Sequence, residues 1–241
     1  MTRINQRRTI TADMSELPNH IGFIMDGNRR WARARGLPTF EGHRRGYDKM
    51  KEVGDWCIAR GIRWMTVFAF STENWNRSKE EVNYLMGLLH RGLTTELGEF
   101  DRRGIRLRVI GRRAGLPENV QRAAHEAEAH TAKNDKGTLC LAINYGGRAE
   151  IVDAARKVAE SGIKPEDITE ESFRGFLYAP DAPDPDLIIR TSGEQRTSGF
   201  LTYTGAYSEL YFTIKHWPDF SEADLEEALS WYNERQRRFG K

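Results

Sequence analysis

The chain of 241 residues has only two cysteines, Cys57 and Cys140, both in apolar surroundings. That excludes a disulfide framework and zinc-type spacings, and reads as two buried thiols in a reducing, cytoplasmic compartment. No run approaches the ~18 apolar residues of a membrane span. The basic opening stretch lacks the apolar segment of a signal peptide, so residues 1–18 are expected to be a loose basic tail. Net charge is only +2, with 37 basic and 35 acidic residues, which argues against a nucleic-acid partner. Neither G-x-G-x-x-G nor G-x-x-x-x-G-K-[ST] occurs, which leaves nucleotide-cofactor and P-loop readings without their signatures.

What is present is an alternation of strand and helix patterns, about six times over. It predicts a single α/β domain over residues 19–241 with a mostly parallel six-stranded sheet flanked by helices. The first strand, near Ile21 to Met25, ends at Asp26-Gly27, and Asn28, Arg29, Arg30 and Trp31 open a basic helix. A carboxylate, a glycine and the free N–H groups of a helix start suit a metal-bound phosphate. A second helix is expected from about Arg44 to Ala59, after a loop carrying His43. The central strand Ile62 to Phe70 leads into S-T-E-N-W-N-R-S, a polar loop at a strand's carboxyl end, where parallel sheets bind ligands. Ser78 and Glu81 read as the capping box of a helix running from Lys79 to about Phe100. Arg190 and Arg196, set among hydroxyls and glycines in R-T-S-G-E-Q-R-T-S-G, form a second phosphate-like constellation. Glu209, in a half-apolar segment, reads as either a salt-bridged rim residue or a metal ligand.

These blocks resemble the cis-prenyltransferases, the undecaprenyl diphosphate synthase family. H-I-G-F-I-M-D-G-N-R-R-W (20–31), F-S-T-E-N-W-N-R (70–77) and I-R-T-S-G-E-Q-R with A-Y-S-E-L-Y-F and W-P-D-F (189–220) carry the likeness. The resemblance implies a homodimeric, Mg²⁺-dependent enzyme that condenses isopentenyl diphosphate with an allylic diphosphate, the product growing in a hydrophobic tunnel. It implies that Asp26 binds the metal, with Glu209 completing the site. Gly27, Asn28, Arg29, Arg30 and His43 would hold the allylic diphosphate, with Trp31 at the entry. Ser71, Thr72, Glu73, Asn74, Trp75 and Arg77 would surround the reacting groups. Arg190, Arg196 and Ser198 would bind the second diphosphate. The resemblance associates Asn74 with proton removal. A neutral amide is a poor base, so orienting the diphosphate or a water is the expected role.

Three departures bear on the product. Thr39 stands where the family usually has arginine, Gly199 where R-x-S-N-F has asparagine, and Thr202-Tyr203-Thr204 where L-W-Q is usual. The last two resemble short-chain or specialised members, whereas the small Ala69 resembles members with longer products. A short to medium linear cis product is expected first. The alternatives are a short or branched, lavandulyl-type diphosphate, or a non-catalytic partner subunit. A greasy product allows a transient membrane contact for its release.

Overall fold

The computed structural model describes residues 17–235. Most of the expected basic tail, and Arg237 and Arg238 at the carboxyl end, lie outside them. Six strands form one sheet: β1 (His20–Ile24), β2 (Trp64–Ser71), β3 (Ile105–Ile110), β4 (Gly137–Tyr145), β5 (Leu187–Arg190) and β6 (Glu209–Phe212), in the order β3-β4-β2-β1-β5-β6. Every pairing is parallel. Eight α-helices connect or flank them: α1 (Asn28–Ala34), α2 (Thr39–Ala59), α3 (Lys79–Leu93), α4 (Leu97–Arg102), α5 (Glu118–Thr131), α6 (Gly147–Ser161), α7 (Glu170–Arg174) and α8 (Glu222–Asn233). The chain leaves β1 toward β2 on one side and later returns to pair β5 on the other. Such a reversal opens a crevice at the carboxyl ends of the strands.

Strand periodicity sorts the core into two layers. Ile21 and Phe23 of β1, Val67 of β2 and Leu139, Leu141 and Ile143 of β4 face a large core with α2, α3, α5 and α8. Ile24, Cys140 and Ala142 face a smaller one with Tyr145, Ile188 and Phe200. Burial on both faces explains why β4 reads as an almost continuous apolar run. Both thiols are buried as expected, and burial pushes each up to about 12. Among the described residues no helix is long and apolar enough to cross a membrane.

Two helices differ from expectation. Thr39 rather than Arg44 begins α2, so His43 stands on a helix and not in a loop. The helix expected over 79–100 breaks at Thr94 (φ −125°, ψ −79°) and restarts as α4. Trp217, fully buried, ties the segment after β6 to the sheet. Its ring packs on Phe23 and Phe220, its indole N–H donates to the Gly46 carbonyl, and its backbone N–H donates to the Asp26 carbonyl.

His20 supplies a pH signature of this fold. Burial lowers its pKa to about 4, against smaller upward effects from the Pro183 carbonyl and nearby aspartates. The neutral ring donates from Nδ1 to the Pro183 carbonyl and accepts the Thr66 hydroxyl at Nε2. The unfolded chain therefore protonates first as pH falls through 6.5, and stability is lost between that value and about 4. Urea denaturation should show a loss of about 3 kcal/mol across this window from the cited shift, and a His20→Asn variant a flatter slope.

Candidate active site

The site is built where β1 and β5 end side by side, with Ile24 paired to Arg190. Asp26, two residues beyond, turns its carboxylate to Arg190 (2.9 Å) and Arg30 (3.1 Å) and accepts the Gly27 N–H. Burial raises its pKa, but hydrogen bonds and charge from Arg190 and Arg30 outweigh this and hold the carboxyl below its ordinary value. Thr191 clamps the Asp26 backbone, accepting its N–H at 3.0 Å and donating to its carbonyl at 2.7 Å. Gly27 adopts φ +98°, and a Cβ there would sit 2.5 Å from the Ser192 hydroxyl and 2.7 Å from His216 Nδ1. Only glycine fits that turn. It lets the start of α1 lie against the Ser192–His216 pair, whose atoms are 2.6 Å apart.

Two cavities meet at this point. The first, about 460 Å³, has Arg29, Arg30 and Arg33 at its polar end and runs inward between α2 and α3 to Phe100, Leu107 and Leu141. The second, about 860 Å³, is lined by Ser71, Thr72, Glu73, Arg112, Arg190 and Ser198. Met25, Asp26, Phe68, Asn74 and Arg77 line both. Each cavity thus has its own cations and they share one carboxylate.

Arg190 is the buried cation of the second cavity. It donates to Asp26, to the Ser198 hydroxyl (2.8 Å) and to the Arg196 carbonyl, while its Nε is buried without a partner. The side chain of Arg196 is 61% exposed, pairs with Glu194 and is off the cavity wall. Glu194 also reaches Arg30, so one carboxylate joins arginines assigned to the two different diphosphates.

On the other side Glu81 is the organiser. Ser78 caps α3 as expected, but the Glu81 side chain does not close the box. It accepts from His43 Nε2 (3.0 Å) and Arg77 (3.1 Å), with Arg29 at 3.8 Å. Burial lowers the His43 pKa, aided by Arg77 and Arg29 and opposed by Glu81, so His43 is a neutral donor near pH 7. Asn74 stands in a capping box with Ser71: its side-chain oxygen accepts the Ser71 N–H at 3.1 Å. The oxygen is occupied and the amide NH₂ is the group left for a ligand, which suits orienting and not proton removal.

Three expected residues, Trp31, Trp75 and Glu209, are placed differently, and Asn28 lines the first cavity while also packing against α2. The Asn28 amide donates to the Met25 carbonyl, and its oxygen is buried against α2, where a Cβ on Gly46 would lie 2.3 Å away. It therefore seats α1 on α2. Trp31 is buried away from both cavities, donating to Asp219 at 2.7 Å with Arg35 over its ring. Trp75 donates to Asn144 (2.8 Å) and packs edge-on to Phe70, pinning the 71–77 loop from behind. Glu209, the first residue of β6, pairs with Leu187, which pairs with Ile21. That register sets it some five residues, about 17 Å, below Asp26. It sits at the amino end of the sheet with Arg235 at 3.6 Å, so this chain does not bring it to Asp26. Among the described residues no three His, Cys, Asp or Glu side chains are grouped to hold a metal.

The chain is similar to known proteins over most of its length. The pattern of the family described as putative undecaprenyl diphosphate synthase matches residues 24–240. An isoprenyl transferase of Thermotoga maritima is 49% identical over 226 residues, covering 93% of this chain and 97% of that protein. A tritrans,polycis-undecaprenyl-diphosphate synthase (geranylgeranyl-diphosphate specific) of Thermococcus kodakarensis is 48% identical, covering 93% and 88%. Among solved structures, lavandulyl diphosphate synthase from Lavandula x intermedia, in complex with dimethylallyl diphosphate, superposes with a TM-score of 0.90 at 41% identity, covering 93% of this chain and 99% of that one. A probable undecaprenyl diphosphate synthase from Campylobacter jejuni gives 0.78 at 32% identity, covering 94% and 99%.

Removing Asp26 would strand the buried Arg190. An Asp26→Ala variant is expected to lose about 3 kcal/mol in urea denaturation. Inorganic diphosphate should return more stability to this variant than to the parent, because it replaces the missing anion.

Proposed function

The chain belongs to the undecaprenyl diphosphate synthase family of cis-prenyltransferases, and from that premise we propose that it is a specialised member making a short, branched, lavandulyl-type diphosphate from two small prenyl diphosphates. Family chemistry, the condensation of isopentenyl diphosphate with an allylic diphosphate, is its frame. The observation that carries the specialised reading is that the first cavity, about 460 Å³, is closed at its inner end. Phe100, Leu107 and Leu141, all buried, close its inner end. The likeness to lavandulyl diphosphate synthase and the R-T-S-G-F sequence support the same reading.

In the first cavity Arg29, Arg30 and Arg33 attract the allylic diphosphate, and Arg77 presents N–H donors to it, while neutral His43 has its one N–H on Glu81 and holds that carboxylate in place. The C1–O bond of the allylic group breaks and its electron pair leaves with the diphosphate. These donors stabilise the charge that builds there. The prenyl group of the second substrate, its diphosphate on Arg190 and Ser198, then attacks C1 with its double bond across the shared wall. Asn74 and Phe68, which face both cavities, hold the two groups in register. The new carbon–carbon bond leaves a tertiary cation, which loses a proton to an oxygen of the departed diphosphate. Attack by an internal carbon gives a branched product, and attack by a terminal methylene gives a linear one.

Magnesium fits this junction in a limited way. Asp26 offers one carboxylate, and diphosphate oxygens and water would complete the octahedral set that the ion prefers. Bound there, it would neutralise charge on the leaving diphosphate. A homodimer belongs to the proposal, supported by Leu210 on edge strand β6 and the neighbouring Tyr207 and Ile214, all exposed. The expected setting is the cytoplasm, with membrane contact only during release of a greasy product.

A second reading, a linear cis chain, is favoured by the small Ala69 on the first cavity's wall and by the identity to the isoprenyl transferases. Incubating the protein and Mg²⁺ with dimethylallyl diphosphate, alone and with isopentenyl diphosphate, separates the two. A branched C10 diphosphate is expected, and linear cis chains of many units would overturn the specialised reading. No product from either substrate set would favour the partner-subunit alternative. An Asn74→Ala variant is expected to lose about 10²-fold in kcat with little change in KM, as for a misplaced reacting group.

A further inference from the structure

One wall of the first cavity is polar at a depth where its neighbours are apolar. His43, Gly46, Tyr47 and Met50 line it from α2, and Leu89 and Gly92 face them from α3. The spacing i, i+3, i+4, i+7 puts the α2 residues on one face, with Tyr47 one turn, ~6 Å, deeper than His43. The Tyr47 ring lies against Gly92: a Cβ at position 92 would be 2.6 Å from the phenol oxygen and 3.1 Å from the ring edge. The hydroxyl donates to Glu96 at 3.0 Å. Glu96 is itself held by Lys51 and Arg91, both at 2.8 Å, and the Lys51 ammonium lies 5.2 Å from the Tyr47 ring centre. Burial and the Glu96 charge both push the phenol's pKa up, so it remains a donor. Glu96 occupies the turn where the expected long helix breaks, between α3 and α4.

The geometry points to Tyr47 as a specificity-determining residue: its ring, tethered by Glu96 and fitted against Gly92, closes the gap between α2 and α3 and limits the length of the prenyl tail. The inference rests on the reading that this cavity holds an allylic tail. A tail growing past His43 meets the Tyr47 ring before it can leave sideways between the helices. Without the ring, Gly92 offers no side chain to fill the gap. With a methyl group on Gly92, the ring has only the cavity to move into. Substitutions on the two helices therefore act in opposite directions, which general loosening of the fold would not do.

The test uses unreactive thiolodiphosphate analogues of the C5, C10, C15 and C20 allylic diphosphates, with affinities measured by calorimetry. The parent protein is expected to show a drop of tenfold or more at one tail length. Tyr47→Ala should move that break at least one isoprene unit longer, and Gly92→Ala should weaken the longest analogue the parent still binds by tenfold or more. Tyr47→Phe, which retains the ring, should leave the break where it is and carries the test with Gly92→Ala if the alanine variant at Tyr47 does not fold. A break unchanged in Tyr47→Ala, with that longest analogue binding Gly92→Ala as it binds the parent, overturns the inference while leaving the proposed function standing. A parent protein that binds no prenyl diphosphate overturns both.

Discussion

A carboxylate at the end of one strand faces an arginine at the end of the next, and both are largely out of water. Arg190 would be costly to bury alone, so Asp26 is required in the resting chain. Much of the nearby loop structure serves to hold the pair. Thr191 fixes the Asp26 backbone on both sides, Gly27 takes a left-handed turn against Ser192 and His216, and Trp217 pins the carbonyl. Arg190 still has an unpartnered Nε, and Arg30 shares itself between Asp26 and Glu194. A resting network of this kind has anions of its own that incoming diphosphates can replace. Exchange of one carboxylate for another anion avoids the cost of leaving a buried cation bare.

Parallel topology explains why two substrates can meet there. Strand β1 has β2 on one side and β5 on the other, and the loops that follow all three open at the same edge of the sheet. The loop after β1 contributes Asp26 and Arg30, that after β2 contributes Asn74 and Arg77, and the end of β5 with its loop contributes Arg190 and Ser198. The first cavity continues between α2 and α3 because its walls are aliphatic, and it stops where Phe100 from α4, Leu107 from β3 and Leu141 from β4 converge.

The alternation of strands and helices, the Ser78 cap of α3 and the Asp26 turn were all legible from periodicity, caps and glycine signals. Asp26, Arg77, Arg190 and Ser198 could be singled out because charged or hydroxyl residues at strand ends in a parallel sheet have few structural uses. Trp31 and Trp75 are off both cavities, since a motif shows which residues lie close in the chain but not which way each side chain turns, whereas Asn28 lines the first cavity as well as packing on α2. Of the two readings of Glu209 the structure shows the ion pair, with Arg235, and only the sheet register shows that it begins its strand at the opposite end from Asp26. Glu81 was legible as a cap partner, but its pairing with His43 depends on α2 starting at Thr39, which no local signal marks. Tyr47 carried no signal, because its meaning depends on Gly92 and Glu96 on other helices.

The central claim is that two diphosphates bind to one chain on either side of Asp26. The most direct measurement is the structure and binding stoichiometry of the protein with Mg²⁺ and an excess of the thiolo analogue of dimethylallyl diphosphate. The account predicts two analogues per chain, one with its diphosphate on Arg29 and Arg30 and one on Arg190 and Ser198, their prenyl groups meeting beside Asn74 and Phe68. A single analogue per chain, or a second one bound away from the shared wall, would contradict it.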